Sequence, residues 1–199
     1  MPRRKVILEA GNYYHVYNRG NNHQLIFLER ENYLYFLRQL QTRLVSMGVD
    51  VIAYCLMPNH YHLLVFLQTE DFSKLMQGFS LAYTKAINKR YQRDGSLFQG
   101  RFNGIRVDSD EYLLSLTRYI HLNPVRANLV ENAEDWEFSS YQEYINLRQG
   151  DLLKLDEMRS FFNSIEDYRS FVEDGTISEK SIQHFTFEEK PGFFKKPGF

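Results

Sequence analysis

Two apolar runs, Val49 to Met57 and Tyr61 to Leu67, are broken only by Pro58-Asn59 and His60. Each run has the length and composition of a strand, and a Pro-Asn break is turn chemistry, so the pair reads as a tight antiparallel hairpin in the middle of the chain. The flanking segments have a different period. From about Arg30 to Met47, Tyr33, Leu34, Phe36, Leu37, Leu40 and Leu44 recur at helical spacing, and Gly48 closes the segment. A second helical stretch runs from about Phe72 to Tyr91, with Leu75, Met76, Phe79, Ala82, Tyr83, Ala86 and Ile87 inward, before Asp94-Gly95 turns the chain.

The ends complete the pattern. Tyr13 to Asn18 has strand composition and leads into the loop Arg19-Gly20-Asn21-Asn22, while Leu97 to Val107 supplies a fourth strand that Gly100 and Gly104 make irregular or partly loop. A helix follows, with Asp108 and Glu111 at capping-box spacing and Pro124 as its stop. The order β-α-β-β-α-β plus a helix predicts an α+β, ferredoxin-like (split βαβ) plan: an antiparallel sheet with helices on one face and a further helix after the last strand. Beyond it, Met158, Phe161, Phe162, Ile165, Tyr168, Phe171 and Val172 carry helical periodicity. The expected organisation is a catalytic domain over residues 1–146, an acidic helical appendage over 147–189 and a flexible tail over 190–199, where Lys-Pro-Gly-Phe occurs twice. Trp136 is read as an anchor for the segment that follows it.

His60-Tyr61-His62 opens the third strand. Alternation puts both imidazoles on one face and Tyr61 on the other, which makes half of a metal site or, read alone, a pair of structural histidines. The predicted helix after the last strand adds Tyr119 and Asn123. Four residues apart, they stand about 40° apart on one helix face, whereas His121 points about 160° away from Asn123. Tyr119 and Asn123 are therefore candidates for one site. A phenol is a weak nucleophile while protonated, so it requires a base or an electrophile polarised by a metal. His60 and His62, with Asn123 as a third, oxygen ligand, suit Mg²⁺ or Mn²⁺ better than a tetrahedral zinc. His15 lies on the strand expected beside the pair and is read as a supporting or packing residue.

Charge divides the chain. Residues 1–130 carry 16 Lys and Arg against 10 Asp and Glu, and residues 131–189 carry 5 against 15, so the first part is the candidate phosphate binder. Between residues 74 and 106, cations alternate with Tyr83, Tyr91, Phe98 and Phe102, a composition suited to single-stranded nucleic acid, with the rings as stacking platforms. Arg19, Lys89, Arg90, Gln99, Arg101 and Arg126 are the candidate DNA contacts. Arg118, well round the helix from Tyr119, reads as a solvated or DNA-facing charge. The single Cys55 excludes an internal disulfide. No run approaches a bilayer span, and the basic start is not followed by the apolar stretch of a signal peptide. A soluble, cytoplasmic protein is expected, with no membrane partner. Monomer and dimer fit the sequence equally.

Four segments, Tyr14-His15-Val16 to Arg19-Gly20-Asn21-Asn22, Leu56-Met57-Pro58-Asn59-His60-Tyr61-His62-Leu63-Leu64, Gly95-Ser96-Leu97-Phe98-Gln99-Gly100-Arg101-Phe102 and Arg118-Tyr119-Ile120-His121-Leu122-Asn123-Pro124-Val125-Arg126-Ala127, closely resemble the REP-associated tyrosine transposases. These are HUH transposases with one catalytic tyrosine. The match keeps its order from residue 13 to about 144, including Trp136-Glu137-Phe138-Ser139-Ser140-Tyr141. The resemblance implies a ferredoxin-like catalytic domain, single-stranded or hairpin DNA as partner, and a transient 5′-phosphotyrosine with a free 3′-hydroxyl. His60 and His62 match the metal-binding histidines, Tyr119 the nucleophile and Asn123 the third ligand position. The competing readings are a nucleic-acid-binding protein with a vestigial site and a two-histidine metal hydrolase that uses water in place of Tyr119.

Overall fold

The computed structural model describes residues 7–173. The basic start, the last part of the predicted appendage and the predicted tail lie outside the described residues. Four strands, β1 (Tyr13–Arg19), β2 (Val49–Met57), β3 (His60–Leu67) and β4 (Asn103–Val107), form one sheet in the order β2-β3-β1-β4. Every neighbouring pair is antiparallel. This is the ferredoxin-like order, reached because β3 returns from the hairpin to lie between β1 and β2.

The two helices of the split βαβ plan share one face as expected, and the further helix takes the other. Helices α1 (Arg30–Arg43) and α2 (Phe72–Arg90) cover one side, where Phe36 packs on Tyr61 of β3 at 5.1 Å and on Tyr83 of α2 at 5.0 Å between ring centres. Helix α3 (Asp110–Arg126) covers the other. There Tyr119 meets His62, the residue after Tyr61, whose side chain necessarily points the opposite way. Both faces are thus buried, and β2 and β3 read as nearly continuous apolar runs because water touches neither side of them.

Two local details differ from expectation, and a third, the looped start of the fourth strand, follows it. The N-cap of α3 is Ser109, whose Oγ accepts from the Tyr112 N–H at 3.2 Å, and not Asp108. Pro124 does not stop α3, which runs on to Arg126 and closes through Asn128 at φ 55°, with the Leu129 N–H bonded to the Pro124 carbonyl at 2.9 Å. The fourth strand starts only at Asn103, because residues 96–100 are held elsewhere: the Gln99 N–H bonds the Arg19 carbonyl at 2.9 Å, and Asn18 Nδ2 donates to the Gly100 carbonyl at 3.2 Å. A Cβ on Gly20 would overlap the Gln24 carbonyl oxygen, so only glycine lets the chain turn there and keep Arg19 beside residues 96–99.

The segment after Tyr141 contributes α4 (Tyr141–Tyr144), α5 (Asp156–Ser160) and α6 (Ile165–Glu173). It lies along the outer edge of β2, where the Lys154 N–H bonds the Val51 carbonyl at 2.9 Å and the Tyr144 hydroxyl donates to the Ile52 carbonyl at 2.9 Å, and α6 packs on α3. His121 is buried there, its Nδ1 bonded to the Tyr168 hydroxyl at 2.6 Å and its Nε2 to Ser140 Oγ at 2.8 Å. Arg118 is not a solvated charge: α6 covers it, its Nε donates to the Val172 carbonyl at 3.1 Å, and its guanidinium lies over the Phe171 ring. Burial, with Arg126 nearby, lowers its pKa. Trp136 anchors as expected, donating from Nε1 to the Leu56 carbonyl at 3.0 Å.

Candidate active site

The pairing register assembles the site. Tyr17 lies opposite His62 and Arg19 opposite His60 on β1, while Cys55 and Met57 flank the two histidines on β2. His15, Tyr17, Arg19, His60 and His62 therefore share the face that α3 covers. From α3, Tyr119 sets its ring edge-to-face with His62, 5.4 Å between centres and 84° between planes. Asn123, one turn on, stands beside His60, close enough to act on its protonation. The sequence placed these four residues in one site, and the fold brings them together.

Neighbours fix the imidazoles. His60 Nδ1 lies 2.7 Å from Asn59 Oδ1, which can only accept, so the His60 proton sits on Nδ1 and its Nε2 keeps a lone pair. His62 Nδ1 lies 2.9 Å from His15 Nε2. Burial is the main cause that pushes His60 down to about 4, with Arg19 also lowering and Asn123 opposing the shift. It holds His62 well below the ordinary histidine range, His60 and His15 adding to the effect. Two buried, uncharged imidazoles and the carboxamide oxygen of buried Asn123 are a donor set that fits a divalent ion. Among the described residues no group of three or more His, Cys, Asp or Glu gathers at one point.

Two candidate DNA contacts converge on this centre. Arg19 is near enough to depress His60, and its Nε donates to the Gln99 side chain. Arg126 stacks its guanidinium on the Tyr119 ring at 5.6 Å. Gln99 and Arg101 are exposed beside Arg19 and Gly100. Lys89 and Arg90 stand apart, at the end of α2 on the opposite face of the sheet, with Arg90 ion-paired to Glu29. The expected stacking platform is absent. Tyr83 is fully buried with its hydroxyl on the Ile26 carbonyl, Phe98 and Phe102 are core residues, and Tyr91 is engaged by Glu29 and Asn32. Sequence reasoning read Asn59 only as a turn residue and overlooked Tyr17. The signal for Tyr17 was its i, i+2 spacing from His15, which gains meaning only with the register.

The buried histidines give the fold an acid limit. Among the described residues His15, His60, His62 and His121 are buried, and burial lowers all four, His15 and His121 to about 3. Folded pKa values below the unfolded value mean that the unfolded chain binds more protons as pH falls through 6.5, so stability is complete above that pH and is lost on acidification. At about 1.4 kcal/mol per group and pH unit, four groups cost about 5 kcal/mol per unit near pH 5. Urea titrations between pH 7.5 and 4.5 with a chelator present are expected to show that slope. A midpoint unchanged down to pH 4.5 would contradict it.

A ferredoxin-like sheet carrying two histidines on its inner strand, with a tyrosine on a helix laid over them, defines a tyrosine transposase fold. The chain belongs to the IS200-like transposase family, whose model matches residues 10–123. It is 30% identical over 106 residues to a Haemophilus influenzae protein described as a REP-associated tyrosine transposase, a match covering 46% of this chain and 58% of that one. The chain thus matches less than two thirds of that relative's length. A solved REP-associated tyrosine transposase bound to a REP hairpin shares the fold, with a TM-score of 0.60 and 18% identity over 78% of this chain and 95% of that one. No helix among the described residues is long and apolar enough to cross a membrane.

Proposed function

We propose that this chain nicks and rejoins single-stranded or hairpin DNA through a covalent bond between Tyr119 and a 5′-phosphate. The observation that carries the reading is the meeting of Tyr119 with His62 and of Asn123 with His60, from opposite sides of one interface between α3 and the sheet. The hairpin-bound neighbour suggests the substrate form. In this reading the catalytic unit is residues 1–146, and the described part of the appendage braces α3 and the outer edge of β2.

His60, His62 and Asn123 would hold Mg²⁺ or Mn²⁺, which supplies polarisation of the scissile phosphate. Arg19 and Arg126 flank the same point and orient the phosphodiester by its non-bridging oxygens. The Tyr119 oxygen forms a bond to phosphorus and loses its proton, the bond from phosphorus to the 3′ oxygen breaks, and that oxygen leaves as a hydroxyl. The phosphotyrosine keeps the bond energy, so a second 3′-hydroxyl reverses the step and joins strands.

The test is incubation with hairpin oligonucleotides and Mn²⁺ followed by denaturing gels. A 3′-end label should travel with the protein, and a 5′-end label should appear on a shorter free strand. Nicking with no labelled protein would favour a water-using hydrolase, and binding without nicking a vestigial site. Replacing Arg19 and Arg126 by Ala together should lower the slope of log affinity against log salt by about 1.4 on single strands, at about 0.7 per phosphate contact. An unchanged slope would place the DNA elsewhere.

A further inference from the structure

We propose that His15 is a positioning residue for the metal site: it accepts the Nδ1 proton of His62 and so turns the His62 Nε2 lone pair toward the ion. The inference rests on the reading of His60 and His62 as metal ligands.

The geometry is a single bond between buried rings. His15 Nε2 and His62 Nδ1 are 2.9 Å apart, and the ring planes differ by 23° with centres 5.1 Å apart. Rings this nearly coplanar, joined edge to edge, put the N–H of one in line with the lone pair of the other. Both residues are fully buried. Two N–H groups facing each other would repel and two lone pairs would leave the contact unmade, so one ring donates and the other accepts. The neighbouring ligand sets the precedent: His60 gives its Nδ1 proton to Asn59 and keeps Nε2 for the site. If His62 donates likewise, both histidines present the same nitrogen to one point. If His15 donates instead, the His62 proton sits on Nε2 and the metal position is blocked.

The choice of an imidazole as acceptor has a further consequence. Metal-bound histidines commonly donate to carboxylates or carbonyls, and a carboxylate would bring negative charge beside the ion. His15 and Asn59 orient their partners without charge. The ion would keep its full double charge for a phosphate already drawn by Arg19 and Arg126.

Long-range proton–nitrogen spectra of metal-free protein labelled with ¹⁵N-histidine read the tautomers directly. His62 is expected protonated on Nδ1 and His15 accepting at Nε2. Mn²⁺ affinity, followed by calorimetry, should fall about tenfold or more in His15→Phe, which keeps ring volume but accepts nothing, and recover in part in His15→Asn. Finding His62 protonated on Nε2 in the wild type, or wild-type affinity in a folded His15→Phe, overturns the proposal. If His15→Phe does not fold, the wild-type tautomer and the His15→Asn affinity decide it. A wild type that binds no Mn²⁺ overturns the metal reading, and with it the role of His15, whatever the tautomer.

Discussion

Tyr119→Phe is expected to abolish both strand cleavage and the covalent adduct, a loss of about a thousandfold or more, because the substitution removes the one oxygen that attacks phosphorus. The ring remains. Its edge-to-face contact with His62 and its stacking under Arg126 involve carbon and π-electrons, which phenylalanine preserves. Stability should therefore change by no more than about 1 kcal/mol, the worth of a typical hydrogen bond. Hairpin affinity should stay within about twofold, since the phosphate contacts are assigned to Arg19 and Arg126. Gels, thermal melts and filter binding on the same preparation check the three expectations together. Nicking that survives without adduct would transfer the reaction to water and end the tyrosine mechanism.

Much of the fold was legible in the sequence because the hairpin from Val49 to Leu67 leaves few alternatives. Once it is fixed, the helical periods on either side and the strand at Tyr13 fall into the split βαβ order. What escaped was information that resides in pairing and covering. A helix wheel shows that Tyr83 lies on an apolar stripe, yet its mixture with cations imitates a stacking surface; only the packing of Phe27 and Phe36 around it settles that the ring is core. Arg118 looks solvated until α6 is laid over it. Pro124 fails to end α3 because a proline in the last turn lacks only one bond, and the turn through Asn128 satisfies carbonyls beyond it. His15 has the same difficulty in a strand: a one-residue change of register would turn it to the opposite face, so its role becomes visible only when Tyr17 is set against His62.

Replacing His60 and His62 together by Ala is the second large effect expected. Metal affinity should drop by about a hundredfold or more, since only the Asn123 amide of the proposed set remains. Metal-stimulated cleavage should go with it. The fold should persist at neutral pH, at a cost of about 1–3 kcal/mol for the space left under α3. Acid titration then separates ligands from structural histidines. The wild type releases protons from four buried imidazoles on folding and the double variant from two, His15 and His121. Its stability should therefore fall with pH about half as steeply, about 3 kcal/mol per unit near pH 5, in place of about 5. A variant less stable at neutral pH would then gain on the wild type, by about 2 kcal/mol per unit, as the solution is acidified. Removing two groups that resist protonation leaves less for acid to act on. Collapse of the double variant at every pH, with a parent indifferent to Mn²⁺, would make His60 and His62 parts of the core and nothing more.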